Sequence, residues 1–226
     1  MRFKDVFSIM GPIMIGPSSS HTAGAVRIGR VARQALADDP RLAEIVFYGS
    51  FAETYEGHGT NLALLGGLLG FDTDDLRIRE SFAIAAQAGL AYAFTKGKGA
   101  APHPNTAVVR LTSASRQIEI VGCSIGGGNI EIVQVDGFQV KFTGAYPALL
   151  ITHQDRRGLL AQITQTLSQA GSNIVSMQVE RKSRMGDAMS VIETDHPLPG
   201  AVIEEVSRIT NVHVVTKIDL LAEVSK

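Results

Sequence analysis

The stretch that most constrains this sequence is residues 16–22, which read Gly-Pro-Ser-Ser-Ser-His-Thr. An apolar pattern at helical spacing follows directly and runs to Leu36, before two aspartates and Pro40 end it. We expect Ser18 or Ser19 to cap this helix, whose first free N–H groups suit an anion such as a carboxylate. A plain serine cap is the alternative. Hydroxyl groups on both sides of an imidazole exceed what capping requires, so the stretch indicates a functional loop.

Composition narrows the class of protein. The chain has 226 residues, enough for one large or two modest domains, and a formal net charge of -1. This charge does not favour nucleic acid or an anionic membrane as a partner, and no apolar run approaches the roughly 20 residues of a membrane span. The opening residues lack the apolar core of a signal peptide. A single cysteine, Cys123, fits a reducing cytoplasm and cannot supply the several thiolates of an iron–sulfur cluster.

Two patterns of secondary structure divide the chain near residues 144–147. The first part indicates a mixed sheet, with strands expected at 43–48, 107–111, 117–121, 131–135 and 138–142 and helices at 5–10, 25–36, 62–69 and 81–94. The second part follows the order strand, helix, strand, strand, helix, strand, which is the ferredoxin-like βαββαβ arrangement. We therefore predict an α/β (α+β) protein with one domain over residues 1–145 and another over residues 148–221.

Three histidines stand in short loops marked by Gly, Pro or Ser. His21 belongs to the serine-rich stretch, His58 lies between two glycines in a polar loop expected over residues 49–61, and His103 begins a His-Pro-Asn sequence. The similar surroundings predict that the three loops converge on one polar site, although each histidine taken singly also fits a structural role. Imidazoles beside hydroxyl and carboxamide groups suit proton transfer and carboxylate binding. The HExxH and paired CxxC patterns are missing, so we expect no metal site within this chain.

A Gly-rich stretch at residues 124–129 reads Ser-Ile-Gly-Gly-Gly-Asn. Its backbone N–H groups are able to cradle a phosphate. The GxGxxG spacing and its following helix are missing, however, so a tight turn or a substrate-facing loop is the favoured interpretation. Cys123 directly before it, at the end of an apolar strand, is expected in the core rather than as a nucleophile.

The second domain offers its own ligand candidates in the loop after its first strand. Gly158 allows a close backbone approach, and Asp155 is placed to reach the N-terminus of the next helix. His153 opens the same loop, and Asn173 opens the second strand of the domain. Caps and turns explain these residues as well, but loops of this kind are also where small ligands and second subunits dock.

These motifs resemble those of a known enzyme family. The matching sequences, in the family's order, are Gly16–Thr22, Gly49-Ser-Phe-Ala52, Gly57-His-Gly-Thr60, His103-Pro-Asn105 and Ser124-Ile-Gly-Gly-Gly128. They are similar to the beta part of iron–sulfur-dependent L-serine dehydratases and cover nearly all of residues 1–145. Residues 148–221 resemble an ACT domain that carries Arg157 where proline is common.

The resemblance implies a separate beta subunit of an L-serine ammonia-lyase, a carbon–nitrogen lyase of amino-acid catabolism that converts L-serine into pyruvate and ammonia. It implies a [4Fe-4S] cluster that is ligated by the alpha subunit, acts as a Lewis acid on the substrate hydroxyl, and makes pyridoxal phosphate unnecessary. The ACT domain is expected mainly to drive self-association, with ligand or cation sensing as a secondary role. The implied catalytic residues are His58, which we favour as the base, His21 and His103, and the implied ligands of the substrate carboxylate and amine are Ser18, Ser19, Ser20, Thr22 and Asn105.

Two other functions are compatible with the sequence. The first domain also resembles the allosteric substrate-binding domain attached to some phosphoglycerate dehydrogenases, which likewise carry an ACT domain. The alternative is therefore a non-catalytic, amino-acid-sensing regulatory module. A pyridoxal-phosphate lyase would need a lysine for its Schiff base, and it is disfavoured because Lys96 and Lys98 lie in a loose Gly-rich loop.

Overall fold

The computed structural model describes residues 13–222, so the helix expected over residues 5–10 lies outside the described range. Within this range the chain forms two compact units, residues 13–136 and residues 137–222. The strand expected at 138–142 therefore falls in the second unit. The domain boundary near residues 144–147 stays a prediction.

The first unit is built on a mixed sheet. Its strands are β1 (Leu42–Tyr48), β2 (Ala91–Lys96), β3 (Thr106–Thr112), β4 (Gln117–Gly126) and β5 (Asn129–Val135). They lie in the order β2-β1-β3-β4-β5. Strand β1 pairs in parallel with β2 and antiparallel with β3, and the remaining neighbours are antiparallel. The mixed sheet predicted from the sequence is confirmed.

Helices cover one face of this sheet and carry the polar motifs at their ends. A π-helical turn (Ser19–Ala23) runs directly into α1 (Gly24–Leu36), and the later helices are α2 (Gly49–Thr54), α3 (Thr60–Leu68), a 3-10 turn (Leu76–Glu80) and α4 (Ser81–Gln87). The apolar residues of α1 are fully buried because α1 packs across β3, β4 and β5 and against α3. The helix expected at 25–36 is confirmed, but its N-cap is Ala23, without a side-chain hydrogen bond. Ser18 caps the π-helical turn that precedes the helix instead.

The sequence analysis is wrong about two segments of the first unit. Residues 49–54 form helix α2 instead of a loop, because Gly49 has a positive φ of 54° and turns the chain straight from β1 into a helix that buries Phe51. Residues 91–94 belong to β2 instead of a long helix. Gly89, at φ 71°, ends the helix early, and Phe94 then stacks on Phe47 of the neighbouring strand at 5.8 Å.

The second unit contains the predicted βαββαβ order, which the structure confirms. After a first strand, β6 (Phe138–Phe142), come β7 (Ala148–Gln154), α5 (Leu159–Gln169), β8 (Ile174–Arg181), β9 (Asp187–Thr194), α6 (Gly200–Ser207) and β10 (Val212–Ile218). Four of these strands form an antiparallel sheet in the order β10-β7-β9-β8. Its core joins Ile151, Ile163 and Ile192, because α5 and α6 pack on the same face. No helix within residues 13–222 is long and apolar enough to cross a membrane.

Candidate active site

The serine-rich stretch folds around the ring of His21. Ser18 is the N-cap of the π-helical turn, and its Oγ accepts the His21 backbone N–H at 3.4 Å. The His21 Nδ1 lies 3.1 Å from the Ser20 Oγ and 3.3 Å from the Ser18 Oγ. Ser19 begins the same turn and accepts the Gly24 N–H through its carbonyl. The short local spacing therefore places two of the three serines on one side of a single imidazole.

The other side of His21 faces two residues of later loops. Its Nε2 lies 3.1 Å from the Oγ of Ser50, the second residue of α2. Its ring also stands edge-on to the ring of His58, with centroids 4.7 Å apart, and to Phe51, with centroids 5.3 Å apart. The structure thus brings together His21 and His58, which are far apart in the sequence, as predicted from their similar loops.

The loop that carries His103 contacts α2 through the neighbouring Pro104. The Pro104 carbonyl oxygen accepts the Phe51 N–H at 3.5 Å and lies so close to Gly49 that a Cβ there would stand 2.5 Å away. The loop therefore rests on the start of α2, next to Ser50. The His103 Nδ1 accepts the Asn105 N–H at 3.1 Å, so the neutral ring carries its proton on Nε2.

The last motif of the site is the end of β4. The Ser124 N–H donates to the Asn105 carbonyl at 2.9 Å, which fixes these two residues side by side. The Ser124 side chain lies against Gly24, where an added Cβ would overlap its Oγ. Gly24 is two residues beyond Thr22, so the end of β4 lies at the start of α1. A chain of contacts thus links all five sequence motifs.

Unsatisfied polar atoms concentrate in these motifs. Five buried side-chain atoms there have no hydrogen-bond partner: Thr22 Oγ1, His58 Nδ1, Thr60 Oγ1, Asn105 Oδ1 and Ser124 Oγ. Buried polar groups are normally paired, and leaving one unpaired costs about 1–3 kcal/mol. None of the five belongs to a carboxylate. Unpartnered polar atoms in linked motifs suit a small, highly polar ligand.

Burial tunes the acid–base character of His21. Desolvation, with a smaller contribution from the His58 ring, lowers the pKa of His21 below its ordinary value. His21 is therefore neutral at pH 7, and both of its nitrogens are engaged by serine hydroxyls. His58 differs because its buried Nδ1 is unpartnered. Of the two adjacent rings, His58 is the one with a nitrogen available to a ligand.

The lone thiol does not fit an iron–sulfur cluster. Such clusters are held by several cysteine thiolates, whereas Cys123 is 2% exposed and burial raises its pKa, so the thiol stays protonated. Its sulfur lies 3.4 Å from the Thr106 Oγ1. Within residues 13–222, no group of three or more His, Cys, Asp or Glu residues is arranged to hold a metal ion.

Three polar candidates of the second unit are engaged within that unit. The His153 ring is 2% exposed, and its Nδ1–H donates to the Gln154 carbonyl at 3.0 Å while its Nε2 accepts from Ser190 at 2.8 Å. The Asp155 carboxylate accepts the Met185 N–H at 3.2 Å and pairs with Arg181 at 3.1 Å, which lowers its pKa. The Asn173 amide donates to Asp195 at 2.6 Å.

Gly158 is the fourth candidate of the second unit and stands apart from the others. It has a φ of 84°, and no heavy atom lies within 4 Å of the place where a Cβ would be. The backbone next to α5 is therefore open. Arg157, directly before it, is exposed.

Two residues of the site were not singled out from the sequence, namely Ser50 and Ser124. Each stands in one of the quoted motifs, but the hydroxyl partner of His21 and the unpartnered Ser124 hydroxyl become visible only when the loops are brought together. For Ser50, the signal available in the sequence was its position directly after a buried strand and Gly49, because residues that follow a strand lie at the edge of the sheet.

Comparison with known proteins places this geometry in a family. The serine dehydratase beta chain family matches residues 4–91, and the ACT domain family matches residues 148–211. A Bacillus subtilis protein named "Probable L-serine dehydratase, beta chain" is 44% identical over 218 residues, which are 96% of this chain and 99% of that protein. The chain belongs to the serine dehydratase beta chain family. The L-serine dehydratase beta chain of Peptoniphilus asaccharolyticus is 40% identical, over 88% of this chain and 90% of that protein.

This member of the serine dehydratase beta chain family is also similar to part of a different enzyme. The D-3-phosphoglycerate dehydrogenase of Bacillus subtilis is 25% identical over 198 residues, which cover 87% of this chain and 37% of that protein. The ACT domain predicted from the sequence is confirmed by the family match.

Proposed function

We propose that this chain is the beta subunit of an L-serine dehydratase, which converts L-serine into pyruvate and ammonia together with an alpha subunit. The observation that carries the proposal is the group of five unpartnered buried polar atoms in the motifs that are linked by contacts to the His21 and His58 rings. Two relatives named as beta chains of this enzyme match it over 99% and 90% of their own lengths. A subunit that contributes polar side chains but no cluster ligands fits both facts.

The [4Fe-4S] cluster of such an enzyme belongs to the alpha subunit. The single buried, protonated thiol of Cys123 cannot replace the thiolates that a cluster requires. When bound, such a cluster supplies a Lewis acid for the substrate hydroxyl. This chain contributes groups that bind and orient the substrate and that accept its proton. The cytoplasmic location expected from the single cysteine stays a prediction.

His58 is the proposed proton acceptor for the α-carbon of the substrate. Its Nδ1 is buried and unpartnered, whereas both nitrogens of His21 are held by hydroxyls. His21 is the proposed positioning residue, because its edge contact at 4.7 Å orients the His58 ring. His103, whose Nε2 carries the proton of the neutral ring, is the proposed hydrogen-bond donor to the substrate. Ser18, Ser19, Ser20, Thr22 and Asn105 are the proposed ligands of the substrate carboxylate and amine.

Reconstitution with an alpha subunit tests this assignment. Under anaerobic conditions we expect pyruvate formation from L-serine by the two subunits together and none by this chain alone. Replacing His58 or His103 with alanine should lower turnover by about 10²–10⁴-fold, as for other acid–base groups, and replacing His21 should lower it through the lost positioning of His58. The matched control is His213→Ala, since His213 is 48% exposed in the second unit. Robust turnover by this chain alone, or near-normal activity of all three site variants, would contradict the proposal.

An amino-acid-sensing module is the second candidate function. It is favoured by the similarity to D-3-phosphoglycerate dehydrogenase, which extends over 87% of this chain. A sensor binds L-serine without converting it. This function would be supported over the first if calorimetry showed L-serine binding to a complex that contains its cluster but forms no pyruvate.

The ACT domain of this chain is proposed to act mainly in self-association. Its polar candidates His153, Asp155 and Asn173 already have partners within the unit, which leaves only the backbone at Gly158 open to a ligand. Ligand or cation sensing is therefore the secondary role. Truncation after Thr143 should lower the oligomeric state. The sedimentation coefficient should then fall further than the loss of mass from each chain alone explains. Equal assembly of the truncated and full chains would refute the role in self-association.

A further inference from the structure

We infer that Ser124, together with Asn105, forms the subsite that receives the α-ammonium group of the substrate. The inference rests on the proposed function, because it takes L-serine as the ligand. Ser124 is fully buried, at 0% exposure, and its Oγ has no hydrogen-bond partner. A buried hydroxyl in that state points to a ligand that completes it, since buried polar groups are otherwise paired.

The local packing holds the Ser124 hydroxyl in place. Its N–H donates to the Asn105 carbonyl at 2.9 Å, and its side chain lies against Gly24, where any larger residue would overlap it. The neighbouring Cys123 and Thr106 are opposite each other in the pairing of β3 with β4. Ser124 is therefore held between the backbone of Gly24, at the start of α1, and the backbone of Asn105.

The chemistry of the pair decides which part of the substrate it receives. A carboxylate needs donors, and the serine hydroxyls and N–H groups at the start of the π-helical turn provide them. An ammonium group has three N–H donors and needs acceptors. The Asn105 Oδ1 is an acceptor only, is buried, and is unpartnered, and the Ser124 Oγ, on the residue whose N–H binds the Asn105 carbonyl, has two acceptor lone pairs. Two neutral acceptors match an ammonium group.

Because the Ser124 Oγ has no partner, replacing Ser124 should affect the melting temperature differently from replacing other buried serines. Replacing a buried hydroxyl that has a partner lowers stability, because the partner is left unsatisfied. Replacing one that has none removes an unsatisfied group, so Ser124→Ala should leave the melting temperature of the full chain unchanged or raise it. The matched control is Ser190→Ala. Ser190 is also 0% exposed, but its Oγ donates to the His153 Nε2 at 2.8 Å, so its loss should lower the melting temperature by about 2–8 °C.

Binding of two substrate analogues to the reconstituted complex tests the assignment itself. L-Alanine carries the ammonium and carboxylate of L-serine, and 3-hydroxypropanoate carries the carboxylate and hydroxyl without the ammonium. Calorimetry should show that Ser124→Ala weakens L-alanine about tenfold or more, as for a hydrogen bond to a charged group. The same variant should change the affinity for 3-hydroxypropanoate less than about twofold, whereas Ser190→Ala should change neither affinity.

The outcomes separate this inference from the proposed function. Equal weakening of both analogues by Ser124→Ala, no weakening of L-alanine, or a lowered melting temperature of the variant would overturn the assignment of Ser124. Binding of the analogues by a complex that never forms pyruvate from L-serine would overturn the proposed function while leaving the ammonium subsite intact.

Discussion

Replacing Gly67 with alanine tests the helix packing that holds the two histidine loops together. Gly67 of α3 lies directly against the backbone of α1. A Cβ at this position would overlap the Val26 carbonyl oxygen and would stand 2.9 Å from the Arg30 nitrogen. Packed heavy atoms prefer separations of about 3.5–4.0 Å, so the two helices have to move apart by more than about 1 Å to accept the methyl group.

Two opposing effects determine how much Gly67→Ala changes the free energy of unfolding. Alanine is better than glycine in a helix interior by about 1 kcal/mol, whereas forcing an extra carbon into a close-packed core costs about 1–3 kcal/mol or more. The obstructing atoms belong to the backbone of a fully buried helix and cannot rotate away. We therefore expect overpacking to dominate, with a net loss of about 1–2 kcal/mol in the free energy of unfolding.

The same displacement should reach the site. Helix α1 begins directly after the turn that holds His21, and α3 begins two residues beyond His58, whose ring is 4.7 Å from that of His21. Urea unfolding followed by circular dichroism measures the stability, and pyruvate formation by the reconstituted enzyme measures the site. The matched control is Gly200→Ala, since no heavy atom lies within 4 Å of a Cβ there. A Gly67→Ala chain as stable as the wild type would refute the packing argument.

Three further perturbations follow from named contacts. Burial and the nearby His58 lower the pKa of His21 from 6.5, so its contribution to stability is present above that pH and is lost as the pH falls below it. Urea midpoints between pH 7 and pH 5 should therefore fall less in His21→Gln than in the wild type. Removing the partner of the buried Arg30, 3.0 Å away, by Asp72→Ala should cost about 1–3 kcal/mol. Asp39→Ala, which removes a pair whose carboxylate is 89% exposed, should cost under about 1 kcal/mol. Leu167→Ala, in the core of the second unit, should cost about 2–5 kcal/mol, and thermal unfolding should show almost no effect of Leu76→Ala, since Leu76 is 67% exposed.

The elements that the sequence predicted well are those with a sustained period. Helix α1 has an apolar face over its whole length and clear signals at both ends, and every one of its apolar residues is buried. The βαββαβ order of the second unit was equally legible, because the apolar residues of α5 repeat at helical spacing. Long periodic segments leave little room for a second interpretation.

The two failures occurred where a glycine with a positive φ changes the chain direction. Residues 81–94 are apolar enough for one helix, but Gly89 adopts a left-handed conformation and starts a strand whose partner, β1, is far away in the sequence. Residues 49–54 look like a loop because they are short and polar. Their helix is stabilised by burial of Phe51 under the Pro104 loop, a tertiary contact that no local pattern contains.

The candidate site shows the same division between local and tertiary information. Repeated loop chemistry predicted that the histidines meet, and His21 and His58 do so. Which nitrogen of each ring is engaged depends on residues from other segments. Ser50 reaches the His21 Nε2 across 29 positions of sequence, and Ser124 is buried by Gly24 of a helix a hundred residues earlier. Such pairings are set by the packing of α1 on the sheet.

The unpartnered atoms connect the stability of the chain with its function. Five buried polar atoms at about 1–3 kcal/mol each represent a penalty comparable to the whole stability of a domain, about 5–15 kcal/mol. The fold tolerates them because α1, α3 and β4 are held by fully apolar contacts such as that between Ile28 and Gly122. A ligand that supplies the missing partners recovers this free energy on binding. Substitutions that remove unpartnered atoms should therefore stabilise the chain and weaken the ligand, while substitutions in the apolar contacts should weaken both.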